Sequence, residues 1–333
     1  MKHHLPEQVP GFLAKLDDPY GITWRFLNIV RRFSPLRMLQ FGLGYSRSIR
    51  YEKPVLIIGM PRSGTTMLFH LIRESSRLKS LPWEGHDVWR MYHHPRYSGW
   101  ESDYVGRGKV GFGERRYINS FFYSYFGRGR FIEKTADNCM RTAYLLELFP
   151  DAIFIVIKRN PCDVINSLIN GWRNPKGRFR SYYLPEDLNI QDYPHSRRWC
   201  FTLIEGWRNH VHSTIPEISF AQWERYVKAV ETARSLVPSA QWVETHFEDL
   251  LSHPEKTMTV IYNAIQIENE PELETKLSEL LANPINALTP PGQDKWRKQN
   301  SEEIKQLLPR VIPMAEKLGY RIDPSTGFCE IIR

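Results

Sequence analysis

The clearest hydrophobic pattern in this chain is a series of short apolar runs that alternate with segments of helical spacing. Val55–Ile58 and Ala152–Ile157 are continuous runs, which are typical of parallel strands buried on both faces. Between them, Met67, Leu68 and Leu71 recur three and four residues apart, which predicts a helix. This alternation predicts an α/β fold of three layers, α/β/α, around a central, mainly parallel and doubly wound sheet.

Further elements extend the same order. Strands are predicted at Arg77–Leu81, Phe131–Lys134 and Trp242–Phe247, and helices through Leu145–Leu148, from Pro161 to Gly171 and over Pro254–Ile265. Asn160 is the expected N-cap of the second of these helices, because Pro161 fits its first position. In such sheets, ligands bind beyond the carboxyl ends of the strands.

Three regions depart from the alternation. Residues 83–130 and 172–200 are rich in aromatic residues and arginine and lack long periodicity, which favours substrate loops over surface decoration or an oligomer contact. Residues 1–50 are predicted to form an N-terminal helical segment that packs on the core, although the amphipathic pattern over 11–50 leaves a peripheral membrane contact open. Residues 51–333 are predicted to form one domain.

Composition and charge limit the classes of ligand and partner that the chain is expected to bind. The 333 residues carry a net charge of +8, which suits anionic ligands, but no compact basic helix or zinc-ligand spacing supports nucleic acid. The four cysteines, Cys139, Cys162, Cys200 and Cys329, are too scattered for a metal site. Without an apolar run of eighteen residues or an apolar signal core, the chain is expected in the cytoplasm.

The loop after the first strand is the strongest chemical motif. Gly59, four residues, then Gly64, Thr65 and Thr66 give the outline of a Walker A loop. Thr65 occupies the position of the Walker lysine, which reaches the β- and γ-phosphates of a nucleoside triphosphate. The loop therefore predicts a phosphorylated ligand other than a plain triphosphate.

Additional donors in and beyond this loop point the same way. Arg62 and Ser63 add charge-assisted and hydroxyl donors to the loop. Arg159 follows the strand Ala152–Ile157, and Ser167 lies two turns into the next helix, so the pair could hold a second phosphate. The alternative is that Arg159 pairs with a carboxylate and Ser167 lies on the helix surface.

Together these motifs resemble the sulfotransferases that use 3′-phosphoadenosine 5′-phosphosulfate (PAPS), in particular their bacterial and tyrosylprotein branches. The Pro-Arg-Ser-Gly-Thr-Thr loop is similar to their 5′-phosphosulfate loop, and Arg159 with Ser167 matches their 3′-phosphate motif. The resemblance runs from about Pro54 to Tyr320 and implies a P-loop-like sulfotransferase fold. It also implies that PAPS is the co-substrate, that 3′-phosphoadenosine 5′-phosphate (PAP) is the product, and that no metal takes part.

The same resemblance assigns roles in the C-terminal part and at the reacting centre. It implies that Lys295 and Trp296 close over the nucleotide, while Phe247 stands where relatives often carry tyrosine. Positive charge must meet the oxygen that leaves the sulfur, and Arg62 and Lys134 are the candidates.

A base is also expected, because the acceptor loses a proton as it attacks sulfur. Glu84 is favoured for this role and His86 is the competitor, since its ordinary pKa suits neutral pH. A third possibility is that Glu84 only positions an arginine.

The resulting hypothesis is an enzyme that moves a sulfuryl group to an acceptor hydroxyl or amine. The alternatives are an atypical P-loop kinase or NTPase and a non-catalytic nucleotide-binding relative. Aromatic and basic residues over 115–130 suit a small-molecule, glycan, lipid or peptide acceptor without choosing among them, and the oligomeric state is left open.

Overall fold

The fold was obtained as a computed structural model. It describes residues 34–73, 75–177, 179–268, 273–283, 285 and 291–332.

Five parallel strands form the central sheet. They are β1 (Val55–Gly59), β2 (Lys79–Ser80), β3 (Phe131–Lys134), β4 (Ile153–Lys158) and β7 (Trp242–His246), in the order β2-β3-β1-β4-β7. Every residue of the three central strands β3, β1 and β4 is buried, as the continuous apolar runs of β1 and β4 predict. The mainly parallel α/β class predicted from the sequence is confirmed.

The helices and the remaining strands surround this sheet. The helices are α1 (Pro35–Ser46), α2 (Thr65–Ile72), α3 (His86–His93), α4 (Glu114–Phe126), α5 (Thr142–Leu148), α6 (Pro161–Trp172), α7 (Ile215–Leu236), α8 (Phe247–Ser252), α9 (Pro254–Ala264), α10 (Leu273–Ala282), α11 (Trp296–Gln299) and α12 (Ser301–Ala315). Two antiparallel ribbons complete the set: β5 (Arg180–Tyr183) with β6 (Arg198–Cys200), and β8 (Tyr320–Ile322) with β9 (Cys329–Ile331). No helix in the described ranges is long and apolar enough to cross a membrane.

Helical layers cover both faces of the sheet. On one face, Ile57 and Ile155 join a buried apolar cluster with side chains of α2, α8, α9 and α10. On the other face, β1 contacts the 3-10 segment Ala136–Met140, which in turn contacts α7. The strand side chains alternate between these layers, so the predicted three-layer arrangement is confirmed.

The regions expected to lack regular structure contain more of it than the sequence suggests. Residues 83–130 include α3 and α4, and residues 172–200 include the β5–β6 ribbon. In α4 the aromatic side chains pack on one another around the helix, for example Phe122 on Phe126 with ring centres 5.8 Å apart. Because apolar residues then occupy several faces, the 3.6-residue period is hidden. The predicted strand Arg77–Leu81 is only Lys79–Ser80.

The chain divides into two compact units. The first comprises residues 1–49 and 116–127, and the second residues 50–115 and 128–333. Within the first unit, Asn119 donates to the carbonyl of Ile49 at 2.8 Å. Gly44 leaves room for Tyr123, because a Cβ there would lie 2.9 Å from its ring. Much of the predicted helical segment 11–50 falls outside the described residues, and the boundary near residue 50 stays a prediction.

Candidate active site

The loop between β1 and α2 has a backbone that few residues can adopt. Gly64, at the N-terminus of α2, has φ = 98°, and a Cβ there would lie 2.4 Å from the ring of Phe247. Arg62 also has a positive φ, 77°, a region that non-glycine residues rarely enter. Ser63 is fully buried, and its hydroxyl donates to the carbonyl of Met60 at 2.7 Å. That hydroxyl therefore shapes the loop itself.

An open cleft lies against this loop. Seven of the nine residues predicted to hold the nucleotide line it, and these are Arg62, Gly64, Thr65, Thr66, Arg159, Ser167 and Lys295. Its apolar lining comes from Met67, Phe247, Leu280, Ile285 and Pro291. The cleft thus offers hydroxyl and cationic groups on one side and an apolar surface on the other.

Three cations crowd the cleft. Burial, followed by the positive charges of Arg159 and Arg62, lowers the pKa of Lys295, although Asp163 opposes this shift. Like charges held together in this way favour an anionic ligand, since an anion would relieve their repulsion.

The two phosphate motifs are in direct contact. Arg62 Nε donates to Ser167 Oγ at 3.0 Å, although the two residues are 105 positions apart. The guanidinium of Arg62 also lies 4.6 Å from the centre of the Phe179 ring, which fixes its plane. The loop after β1 and the middle of α6 therefore present their donors together.

Arg159 connects the two loops beside the cleft. Its Nη1 donates to the carbonyl of Arg62 at 3.1 Å and its Nη2 to the carbonyl of Gly292 at 2.8 Å. The Asp163 carboxylate is 3.9 Å from Nη2, which is too far for a hydrogen bond. Among the described residues, the buried Nε of Arg159 has no hydrogen-bond partner. That atom is therefore an unsatisfied donor on a residue that lines the cleft.

The C-terminal segment predicted to close over the nucleotide is attached to α6. The Asp163 carboxylate accepts from the backbone N–H of Asp294 at 2.8 Å and of Trp296 at 3.3 Å. Lys295 lines the cleft, whereas the Trp296 side chain is fully buried and packs on Gly327, where a Cβ would lie 2.7 Å from the indole. The two neighbouring residues thus face different surroundings.

A second cluster begins at Thr66. Lys134, the last residue of β3, donates from Nζ to Thr66 Oγ1 at 2.9 Å and to Glu84 Oε1. The other oxygen of Glu84 lies 2.9 Å from Nε2 of His86. Glu133 holds the turn that carries Glu84, because its Oε1 accepts from the N–H of Gly85 at 3.1 Å. Both sequence candidates for the base are thereby in contact with each other and, through Lys134, with the loop.

Behind His86 the charges continue to alternate. His86 Nδ1 lies 3.1 Å from Asp137 Oδ2, which also accepts from Arg90 Nη2 at 2.5 Å. Arg90 Nε is 3.6 Å from Asp103 Oδ1, and that oxygen accepts from Arg141 at 2.6 Å. Burial of such a row is tolerated because each charge has an opposite neighbour.

The surrounding charges set the protonation of Glu84 and His86. Burial would raise the pKa of Glu84, but Lys134 and the hydrogen bond from His86 together outweigh it and hold that pKa far below its usual range. Burial would lower the pKa of His86, but the Asp137 carboxylate, together with the hydrogen bond to Glu84, raises it to about 9. Glu84 is therefore ionised and His86 cationic at neutral pH.

Some residues of these clusters carry little signal in the sequence. Asp137 follows Lys134 by three positions and Asp163 follows Arg159 by four. Their proximity to the motif residues could therefore have marked both as members of the site. Phe179 and Arg90 lie in regions without periodicity, and nothing in the sequence marks them.

Comparison with known proteins identifies one family. Residues 54–200 match the model of the sulfotransferase family. Nodulation protein NoeE of Sinorhizobium fredii (strain NBRC 101917 / NGR234) is 27% identical over 136 residues, which cover 36% of this chain and 32% of that protein. The matched part therefore spans about a third of this curated relative.

Solved structures of similar fold include other sulfotransferases. One from Mycobacterium avium is 14% identical, with 83% of this chain and 81% of that chain covered and a TM-score of 0.49. The sulfotransferase domain of the Synechococcus PCC 7002 olefin synthase is 16% identical, with 83% and 98% covered and a TM-score of 0.48.

The family match covers β1, the loop after it, β3, β4 and α6, which are the elements that carry the first loop, Lys134, Arg159 and Ser167. The resemblance predicted from these motifs is confirmed by the match of residues 54–200 to the model of the sulfotransferase family.

Proposed function

We propose that this protein transfers a sulfuryl group from PAPS to an acceptor hydroxyl or amine. The observation that carries the proposal is the convergence of the two phosphate motifs on one cleft, where Arg62 Nε meets Ser167 Oγ at 3.0 Å. A donor with phosphate groups at both its 5′ and 3′ positions needs two sets of anion-binding groups in one cleft, whereas a nucleoside triphosphate needs a single row of phosphate contacts.

In this proposal the loop and the start of α2 hold the 5′-phosphosulfate. The N-terminus of α2 offers free N–H groups to an anion, and the hydroxyls of Thr65 and Thr66 line the same cleft. Arg159 and Ser167 hold the 3′-phosphate, for which the unpartnered Nε of Arg159 is a suitable donor. Lys295 adds charge from the C-terminal segment, and Trp296 supports that segment from behind.

The transfer itself needs charge stabilisation and a base. The acceptor oxygen forms a bond to sulfur while the bond from sulfur to the phosphate oxygen breaks, and the electron pair of that bond leaves with PAP. Lys134 and Arg62 are placed to stabilise the negative charge that develops on the leaving oxygen. No metal ligand is required in this proposal.

Glu84 is the proposed base. Lys134 donates both to Thr66 in the loop and to Glu84, so an anionic sulfate beside Thr66 would compete with Glu84 for the same ammonium group. Loss of that contact raises the proton affinity of Glu84 when the donor is bound. Donor binding thereby prepares the carboxylate to accept the proton of the acceptor.

Calorimetry with PAP tests the nucleotide site directly. We expect PAP to bind the wild-type protein and the control Arg310→Ala, whose exposed guanidinium pairs with Glu217 at 2.8 Å. Arg62→Ala is expected to weaken binding, because it removes a cation from the cleft. Absence of binding to the wild-type protein at millimolar PAP would overturn the proposal.

A turnover assay then separates an enzyme from a non-catalytic binding protein. PAPS is supplied with a panel of phenols, sugars, lipids and peptides, and formation of PAP and of sulfated product is followed. Acceptor-dependent PAP release supports the proposed transfer. PAP binding without release across the panel would favour a binding protein that has lost the chemistry.

A further inference from the structure

His86 lies between two carboxylates. Its Nε2 is 2.9 Å from Glu84 Oε2, and its Nδ1 is 3.1 Å from Asp137 Oδ2. Each carboxylate is also contacted by a cation on its far side, Glu84 by Lys134 and Asp137 by Arg90. The imidazole is thus the centre of a row in which positive and negative groups alternate.

This geometry fixes the number of protons on the ring. An ionised carboxylate can only accept hydrogen bonds, and a neutral imidazole has one donor and one acceptor nitrogen. If both carboxylates are ionised, both ring nitrogens must carry a proton, because an acceptor nitrogen facing Asp137 or Glu84 would place two lone pairs in contact.

The competing arrangement moves one proton from His86 to Glu84. That shift would leave Lys134 beside a neutral acid and Asp137 beside a neutral ring, so it would forfeit two attractive charge pairs at once. The side chains of Lys134 and Asp137 are 3% and 5% exposed, and those of their partners Glu84 and His86 are 26% and 34% exposed, so water screens these pairs only in part. The charged arrangement is therefore the stable one.

We propose that Asp137 is a positioning residue that keeps His86 doubly protonated, and that His86 in this form orients Glu84 as the base. The inference rests on the proposed sulfuryl transfer. It decides between the two sequence candidates, since a doubly protonated imidazole has no lone pair with which to accept a proton.

The proton balance of the transfer follows from this assignment. As the acceptor oxygen bonds to sulfur, its proton passes to Glu84 Oε1, the oxygen that Lys134 contacts before the donor binds. His86 keeps both of its protons and holds Oε2. Asp137 is itself fixed by Arg90 and by the Thr202 hydroxyl, which donates to Oδ1 at 2.6 Å.

The charged groups that face His86 are Glu84, Asp137 and Arg90, with Lys134 beyond Glu84. Burial and Arg90 lower the pKa of His86, but the two carboxylates outweigh them and raise it to about 9. The imidazolium is therefore present across the neutral range.

Nitrogen NMR of histidine-labelled protein tests the charge state. We expect both ring nitrogens of His86 to be protonated at pH 7.5, with the resonances assigned by their loss in His86→Asn. A His86 ring that carries one proton at this pH, or that titrates near the ordinary value of about 6.5, would overturn the inference.

Asp137→Asn tests the positioning role, with the exposed Asp187→Asn as the matched control. We expect His86 to titrate at lower pH in Asp137→Asn, kcat to fall about tenfold or more, because a misplaced catalytic group lowers the rate, and PAP affinity to be unchanged. An unaltered His86 titration in a folded Asp137→Asn variant would refute the role. If Asp137→Asn does not fold, the wild-type titration still decides the protonation of His86.

The two proposals can fail separately. A doubly protonated His86 in a protein that does not bind PAP would leave the charge assignment intact and remove the proposed function. A singly protonated His86 in a protein that binds PAP and releases it with an acceptor would do the opposite.

Discussion

The sharpest test of the nucleotide site pairs the removal of Arg159 with the removal of the ligand's 3′-phosphate. Arg159 Nε is buried and unpartnered within the described chain, while Nη1 and Nη2 already bond to the carbonyls of Arg62 and Gly292. If Arg159 holds the 3′-phosphate, Arg159→Ala should weaken PAP strongly and 5′-AMP, which lacks that phosphate, only slightly.

The size of the expected effect follows from the contact. A hydrogen bond to a charged group contributes about 1.5–3 kcal/mol, and each 1.4 kcal/mol is a tenfold change in Kd, so PAP should bind about 10- to 100-fold more weakly. Arg159 also tethers Arg62 and Gly292, and loss of this tether should affect both ligands alike. The ratio of the two changes in Kd therefore isolates the phosphate contact.

Calorimetry on four combinations, wild type and Arg159→Ala with PAP and with 5′-AMP, gives that ratio. Arg159→Lys is a useful companion, because a lysine keeps the charge but cannot supply the planar fork that reaches two carbonyls and a ligand. Equal weakening of PAP and 5′-AMP by Arg159→Ala would show that Arg159 only supports the loops, and the assignment of the 3′-phosphate site would be refuted.

Three further predictions concern the base, the loop and stability. Glu84→Gln should keep PAP affinity within about twofold and lower kcat by about 10²–10⁴-fold, the usual contribution of a general base. Calorimetry measures the affinity and a turnover assay measures kcat, and an unchanged kcat would exclude Glu84 as the base. Gly64→Ala should destabilise the protein by more than about 1 kcal/mol and abolish PAP binding, because its φ is 98° and its Cβ would lie 2.4 Å from Phe247. Gly99→Ala is the control, because Gly99 has a φ of 68° but open space around the Cβ, so its loss of stability in urea unfolding reports backbone strain alone. An equal loss of stability in both variants would argue against a clash between the Cβ at position 64 and Phe247. Burial would raise the pKa of Glu114, but hydrogen bonds from a histidine, a tyrosine and a backbone N–H together lower it. A carboxyl group whose pKa is lower in the folded state stabilises the protein above its unfolded pKa of about 4.3, and this stabilisation is lost as the pH falls. Glu114→Gln should therefore be less stable than wild type at pH 7, and its free energy of unfolding should fall less steeply as the pH is lowered. Parallel curves of unfolding free energy against pH for the two proteins would contradict this.

Local signals in the sequence were sufficient for the sheet and for most of the loop. The strand Ile153–Lys158 was predicted within one residue at each end, because the apolar run has the length of a strand, is shorter than a typical helix and is rich in β-branched residues. Asn160 caps α6 as expected, its Oδ1 accepting from the N–H of Cys162 at 2.9 Å. Such features depend on residues within a few positions of one another.

Features that depend on partners far away in the sequence could not be predicted from local sequence signals. The burial of Trp296 depends on Gly327, thirty-one positions later in the sequence. Phe179, in the turn before β5, contacts Arg62 from a segment whose aromatic composition gives no period. In each case the partner follows from tertiary packing that composition does not encode.

The threonine in the Walker lysine position also has a structural explanation. β1 and β3 are neighbours in the sheet, and Ile57 of β1 is in register with Lys134, the last residue of β3. Parallel strands end at the same edge, so a lysine at the end of β3 reaches the loop that follows β1, where it donates to Thr66 at 2.9 Å. A cation can therefore be supplied to this loop by the adjacent strand instead of by the loop's own sequence. Such a lysine can contact Thr66 and Glu84 together, which links the charge at the donor to the group that is proposed to take the acceptor's proton.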